Sequence, residues 1–244
     1  MEFPSPDHVL LKLTPGDSPL PDIRPGQFVE VRVSTSPQTF LRRPISINYV
    51  DRARNELWLL VHCVGPGTRA LAQAKPGDRI DCLYPLGKGF RPVADVPPRA
   101  LLIGGGVGTA PLLHFGMELH AAGRPATFIL GGKTESDLLQ LELFRQAGTL
   151  HCTTEDGSLG TRGFVTAHPA LAQPWDYIAT CGPKPMMQAV AREAKLRGIP
   201  CEASLENLMA CGLGACLCCV EPTRQGNRCV CKDGPVFDTS ELNW

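Results

Sequence analysis

Ala100-Leu-Leu-Ile-Gly-Gly-Gly-Val-Gly-Thr-Ala-Pro111 is an apolar run that opens into a glycine-rich loop and then a proline. A continuous apolar run of this kind belongs to a strand buried on both faces of a parallel sheet. Pro111 suits the first turn of a helix, where its missing N–H has no intrahelical partner to lose. The segment therefore reads as strand, loop and helix, with the helix running to about His120. Gly104, Gly105, Gly106 and Gly108, followed by Thr109, let a phosphate approach the free N–H groups and positive dipole end of that helix. The strict G-x-G-x-x-G fingerprint is not met, because Thr109 stands at its last glycine position. No acidic residue ends the next strand to hold a ribose, so a plain structural turn stays open as the alternative.

Downstream, the same alternation continues. Ala126-Thr-Phe-Ile-Leu-Gly-Gly is a second buried strand, and Ser136 to Ala147 reads as a helix with Asp137 near its start and Gly148 beyond its end. Leu150-His-Cys-Thr-Thr and Tyr177-Ile-Ala-Thr-Cys-Gly are further strands. Pro185 to Arg197 is an amphipathic helix closed by Gly198. Alternating strands and helices predict an open parallel sheet. Cys181-Gly182-Pro183 falls at the C-terminal end of one such strand, where ligands of open α/β sheets bind. Taken alone, it is more often a strand-to-helix turn with a buried cysteine.

Upstream of Pro97-Pro98 the character changes. His8 to Leu13, Gln27 to Val33, Leu57 to Val64 and Arg79 to Tyr84 are short strand candidates between Pro/Gly turns, which suggests an antiparallel barrel. Gln27 to Val33 alternates with period two and predicts a half-buried strand. Arg42-Arg-Pro-Ile-Ser-Ile47 sets an arginine beside a serine, a pairing suited to a pyrophosphate, since guanidinium binds phosphate oxygens bidentately. Val64-Gly-Pro-Gly-Thr-Arg is a second tight turn that can start a short helix nearby.

The C-terminal part carries the most specific signal. Cys211, Cys216 and Cys219 are spaced C-x4-C-x2-C, and Cys231 follows after a loop. This is the spacing of plant-type two-iron sites. Gly212 and Gly214 allow backbone amides to point at the sulfurs. Cys218 should point away, between two ligands. Cys229 competes with Cys231 for the fourth place, and the adjoining Asp233-Gly234-Pro235 turn favours Cys231 without settling it. Structural zinc usually takes two separate C-x2-4-C knuckles and suits this crowding less well. Eleven cysteines, an odd number, with no export-signal pattern argue against a disulfide scaffold and for a reducing cytoplasm. The 244 residues fit two domains and an appendage. Balanced charge, 24 acidic against 24 basic residues, gives no sign of nucleic-acid binding. No apolar run is long enough to span a bilayer.

Taken together, Arg43-Pro-Ile-Ser46, Gly65-x-Gly67-Thr68, Pro85-Leu-Gly-x-Gly-Phe90, the glycine loop, Glu155-Asp-Gly-Ser158, Cys181-Gly-Pro183 and the cysteine loop resemble one family over nearly the whole chain. That family is the electron-transfer subunit of B-type dihydroorotate dehydrogenase, within the ferredoxin-reductase superfamily. The resemblance implies an FAD-binding antiparallel β-barrel (1–95), an α/β parallel-sheet NAD domain (96–200) and a C-terminal 2Fe-2S segment (201–244). It implies FAD contacts from Arg43, Pro44, Ile45, Ser46, Leu60, Val61, His62, Gly67 and Thr68. NAD falls to the glycine loop and Cys181-Gly182-Pro183, and the cluster to Cys211, Cys216, Cys219 and Cys231. The implied partner is an FMN-containing dihydroorotate dehydrogenase catalytic subunit, in a heterotetramer of two plus two. Electrons would run from FMN through the cluster and FAD to NAD, in pyrimidine biosynthesis. Two rivals remain: a reductase subunit of a hydrogenase or transhydrogenase, and a nucleotide-binding module with structural zinc. Departures from the pattern are Ile45 in place of an aromatic, Tyr84 before the Pro-Leu-Gly turn, and a short N-terminus that predicts a truncated first barrel strand.

Overall fold

The computed structural model describes residues 1–244. The first part holds β1 (Glu2–Ser5), β2 (His8–Leu13), β3 (Phe28–Val31), β4 (Arg43–Asp51), β5 (Glu56–His62), helix α1 (Pro66–Leu71) and β6 (Cys82–Leu86). Its six strands form one antiparallel, barrel-like sheet in the order β1-β2-β5-β4-β3-β6. Val9, Leu11, Val29, Val31, Ile47, Leu59 and Val61 fill its interior.

The outer face of this barrel is also covered. Along β2 and β5, the alternate residues Leu10, Trp58 and Leu60 pack on Ala110 and Leu139 of the following domain. Along β3, Phe28 joins a cluster with Leu205, Met209, Cys219 and Cys231. The half-buried strand expected over Gln27 to Val33 is therefore corrected: the strand is Phe28–Val31 and every residue in it is buried. Period-two alternation reports two faces but not what lies against each. The strand expected over Arg79 to Tyr84 is also shifted, to Cys82–Leu86. Pairing with β3 decides this, since Val31 opposes Cys82 and Phe28 opposes Leu86.

The second part contains β7 (Ala100–Gly105), α2 (Ala110–Ala121), β8 (Ala126–Gly132), α3 (Leu141–Ala147), β9 (Gly148–Thr154), β10 (Thr161–Arg162), β11 (Tyr177–Cys181), α4 (Lys184–Leu196) and β12 (Cys201–Ser204). After it come the hairpin β13 (Val220–Thr223) and β14 (Gly226–Cys229), the turn α5 (Val230–Asp233) and β15 (Val236–Asp238). The seven-stranded sheet runs β10-β9-β8-β7-β11-β12-β15. All neighbours pair parallel except β12 and β15. The chain thus re-enters the sheet after the cysteine loop, and both ends of that loop are anchored on one edge.

The helix expected over Ser136 to Ala147 is shorter than its pattern. A turn at Glu135–Asp137 precedes it, capped by Asp137, whose carboxylate accepts the Lys133 and Thr134 amides. Gln140 then adopts φ +56°, and α3 begins only at Leu141. Its amide exchanges two hydrogen bonds of 2.9 and 3.0 Å with Asn48 on β4. Asn48 also donates to the Ala110 carbonyl at the start of α2. This part-buried amide pair ties barrel to sheet, and local helix propensity yields to it. No helix is long and apolar enough to cross a membrane.

Candidate functional site

The two predicted flavin segments meet at a split in the barrel. Strand β4 leaves β5 after Ile47↔Leu59 and continues as the partner of β3, from Ser46↔Phe28 to Arg43↔Val31. Strand β5 runs on beside β2 alone, through Leu60, Val61 and His62. Arg43–Ser46 and Leu60–His62 are therefore the two lips of one V, with main-chain polar groups on its inner edges. The Leu60 and Val61 side chains are buried in packing, so only their backbone can face a ligand there.

Within this V the adjacent arginines divide. Arg42 grips the Asp81 carboxylate at 2.9 and 3.0 Å and is occupied. Arg43 carries a buried Nε with no partner. Gly67 lies against it: a Cβ there would stand 2.9 Å from Thr39 Cγ2 and 3.2 Å from Arg43 Nε. An unpartnered guanidinium N–H beside a residue with no side chain is a cradle that fits a phosphate. The Thr68 hydroxyl exchanges bonds with Gly65 N and O and caps its own turn.

A cleft of about 890 Å³ separates the barrel from the C-terminal edge of the parallel sheet. Gly105, Gly106, Gly108, Gly182, Pro183 and His62 line it. Gly104, Thr109 and Cys181 stand behind this wall. The Thr109 hydroxyl donates to Gly106 O, and burial pushes the Cys181 thiol well up from its ordinary value. Gly108 is where the two predicted nucleotide segments touch, since a Cβ there would sit 2.4 Å from Gly182 Cα. At the mouth, His8 and His62 stack at 4.4 Å, and burial, then His62, lowers the His8 pKa. Among the wall residues that sequence reasoning did not single out are His8, Lys133, Phe164 and Glu206.

The cysteine loop gathers its thiols as two pairs. Cys211 is in hydrogen-bond contact with Cys216, and Cys231 with Cys219. No three His, Cys, Asp or Glu side chains crowd around one point as a single metal ion requires. Two pairs suit two bridged irons, each taking two thiolates. Main-chain amides already aim at the sulfurs: Leu213 N at Cys211, Gly214 N at Cys231, and Cys231 N at Cys219, at 3.4, 3.1 and 3.3 Å. The amides of Leu213 and Cys216 hold the Cys211 pKa down to about 6. Cys218 turns its thiol to Leu208 O. Cys229 donates its own N–H to Asp233, and its side chain joins neither pair.

One ionisable residue escaped the sequence reading altogether. Glu30 on β3 faces outward from the barrel, opposite Pro44 and against Gly212, next to Cys211. It is fully buried, and neither carboxylate oxygen has a hydrogen-bond partner. Burial, reinforced by Cys211 and opposed by Arg42 and Arg43, raises its pKa from 4.5 to about 7. The folded chain therefore binds this proton more tightly than the unfolded chain. The stability this gives is complete below pH about 4.5 and is lost as pH rises through about 7. Glu30→Gln has no carboxylate to ionise. It is expected to gain stability over the parent between pH 5 and 8, by up to about 3 kcal/mol. Urea unfolding of both proteins at the two pH values checks this, and parallel profiles would refute it.

Fold and site define a protein of the ferredoxin-reductase class: a barrel with a flavin-type split, a nucleotide cleft on a parallel sheet, and here an added cysteine loop. The model of the iron–sulfur cluster binding domain of dihydroorotate dehydrogenase B matches residues 206–243. The electron transfer subunit of dihydroorotate dehydrogenase B (NAD(+)) of Bacillus caldolyticus is 40% identical over 225 residues, covering 90% of this chain and 86% of that one. Its counterpart in Listeria monocytogenes serotype 4a (strain HCC23) is 42% identical over 227 residues, covering 91% and 88%. The chain belongs to the family of dihydroorotate dehydrogenase B electron transfer subunits. Among solved structures, one of NADH-dependent reduced ferredoxin-NADP oxidoreductase matches with a TM-score of 0.85 at 29% identity, covering 100% of this chain and 87% of that one. The ferredoxin reductase of carbazole 1,9a-dioxygenase shares the fold, with a TM-score of 0.66 at 22% identity over 82% of this chain and 64% of that one.

Proposed function

We propose that this chain carries electrons from the FMN of a dihydroorotate dehydrogenase catalytic subunit to NAD+, through a 2Fe-2S cluster and FAD, in pyrimidine synthesis. The observation that carries this reading is the juxtaposition of two thiol pairs with Arg43–Ser46 across a single strand, since β3 pairs with β4 and packs on the cysteine loop. The proposed units are 1–95 for FAD, 96–200 for NAD and 201–244 for the cluster. The last of these shares the sheet of the second through β12 and β15. Cys211 and Cys216 would hold one iron, and Cys219 and Cys231 the other. The Leu213, Gly214 and Cys231 amides favour anionic sulfur there and so help set the potential. Bound FAD supplies the change from single electrons to a hydride.

The residues of this chain bind, orient and exclude water. Arg43 and the Gly67 cradle would take the FAD pyrophosphate. Ile45, Ser46 and the free backbone edge of Leu60–His62 would hold the ring system. Gly105–Gly108 and Gly182-Pro183 would seat the NAD. Dihydroorotate itself is assigned to the partner subunit, and a two-plus-two assembly is the expected stoichiometry. The exposed Leu208, Leu213 and Leu217 around the cysteine loop supply apolar area for that docking. Bound iron, acid-labile sulfide and FAD should each be found in protein purified without oxygen. A colourless protein holding only zinc would end the proposal. The likeness to the NADH-dependent ferredoxin-NADP oxidoreductase structure supports a second reading, as a reductase subunit of a transhydrogenase-like complex. Capture of the native partner separates the two, because only the first yields an FMN protein that oxidises dihydroorotate.

The two arginines offer a sharper test. Arg43→Ala is expected to weaken FAD binding roughly 10- to 100-fold, the loss of a charged hydrogen bond to phosphate. Arg42→Ala should retain FAD, because its guanidinium serves Asp81. Flavin absorbance after gel filtration reads both, and equal retention would refute the assignment of Arg43.

A further inference from the structure

Glu221 lies on β13, just past Cys219, and is buried. Its carboxylate holds two partners from separate parts of the chain. One oxygen accepts from the Lys184 ammonium at 3.0 Å, and the other accepts from the Asn207 side-chain amide at 3.0 Å. Arg228, its neighbour in register across the hairpin, is a cation closer in sequence, yet it bonds Gln225 instead. Lys184 is partly in water, but the carboxylate end of the pair is nearly sealed. A desolvated carboxylate that loses its donors is left uncompensated, so this contact counts for more than an ion pair on the surface.

Each of the three residues belongs to a different working part. Asn207 leads into the segment that carries Cys211, and Glu221 follows Cys219, so their bond spans the stretches that bear the two thiol pairs. Lys184 is the first residue of α4, and its neighbours Pro183, Pro185 and Met186 line the nucleotide cleft. Close by, Met187 of α4 packs with Leu205, Met209 and Cys219. Such apolar packing is non-directional and lets the segments slide on one another. Directed hydrogen bonds to one nearly dry carboxylate permit a single arrangement.

We propose that Glu221 is a positioning residue for electron transfer: its carboxylate fixes the two thiol pairs relative to each other and seats the cysteine loop against the nucleotide wall. The cluster's place relative to the flavin follows from that seating. The inference rests on the electron-transfer reading given above. It concerns the passage of single electrons between cluster and FAD. The hydride step between FAD and NAD uses the cleft, and Glu221 is not part of the cleft wall.

The test uses the whole protein with FAD and cluster bound, driven in reverse by NADH and followed by stopped-flow absorbance. In Glu221→Ala, bleaching of FAD by NADH should match the parent. The following reduction of the cluster should slow about 10- to 100-fold, since a misplacement of about 1 Å suffices for that. Low-temperature EPR of the reduced cluster should show an altered line shape. Lys184→Glu, which sets a second carboxylate against Glu221, should slow the same step. Lys184→Glu combined with Glu221→Lys should restore it, because the Asn207 amide can accept from an ammonium as well as donate to a carboxylate. Glu193→Gln, which breaks the Glu193–Arg197 pair further along the same helix, should change neither step. If Glu221→Ala loses its iron, the reversed pair decides alone. Cluster reduction at the parent's rate in Glu221→Ala, equal slowing of both steps, or a reversed pair no faster than Lys184→Glu would overturn the assignment. A parent with flavin but no cluster to reduce would end the electron-transfer reading itself, and this inference with it.

Discussion

Cys216→Ser is expected to abolish NAD-linked dihydroorotate oxidation, by more than about 100-fold, while the partner subunit still reduces an artificial dye at close to its normal rate. A serine hydroxyl stays protonated where a cysteine becomes a thiolate, and the thiolate is the metal ligand. Cys216 faces Cys211, whose own pKa is already held low by the loop amides, so that pair is poised to bind iron. Removing one thiolate would leave the iron proposed for that pair with a single protein ligand. Cys218→Ser is the matched control: its sulfur faces Leu208 O, and both activities should survive. The measurement is iron and sulfide content together with the two rates in the assembled complex. Equal loss of both rates in Cys216→Ser would show that the loop serves chiefly to hold the subunits together. Equal loss in the Cys218 variant would mean that the pairing of thiols described above is wrong.

The second large effect falls at Gly108. Its Cα lies so close to Gly182 that an added Cβ would stand 2.4 Å from that Cα and 2.6 Å from its nitrogen. Both obstacles are backbone, so no side chain can swing aside. Gly108→Ala is therefore expected to force β7 and β11 apart at their C-terminal ends, costing about 1–3 kcal/mol of stability. It should also weaken NADH at least tenfold, because the loop and the Gly182 turn form one wall of the cleft. FAD should remain bound, since the split in the barrel takes no residue from this loop. Gly106→Ala supplies the contrast. No atom lies within 4 Å of its added Cβ, and only the φ of +54° resists the change. Thermal unfolding and NADH titration of both variants decide the matter. A Gly108→Ala protein that binds NADH like the parent would mean that the wall adapts.

The strands and helices of the second domain were legible because their signals are local. Ala100–Gly105 is an apolar run of strand length, and Lys184–Leu196 has helical periodicity ended by Gly198. The cysteine spacing was legible for the same reason, since ligands on a tight loop lie within a few residues of one another. The errors share the opposite character. Gln140 leaves the helical pattern of its segment to pair with Asn48, 92 positions away. Glu30 reads as the solvent-facing member of an alternating strand and is instead sealed under the cysteine loop. Of Arg42 and Arg43, nothing in Arg-Arg-Pro-Ile-Ser tells which is free, because the answer depends on Asp81.

The order of the chain alone therefore gave the class of fold, the glycine loop and the thiol spacing, all consequences of backbone sterics and short-range periodicity. Folding settled two further things: which arginine keeps an unsatisfied N–H and which cysteines face each other. Each depends on burial and on partners supplied by distant strands. No stretch of neighbouring residues records the desolvation that makes such a group reactive.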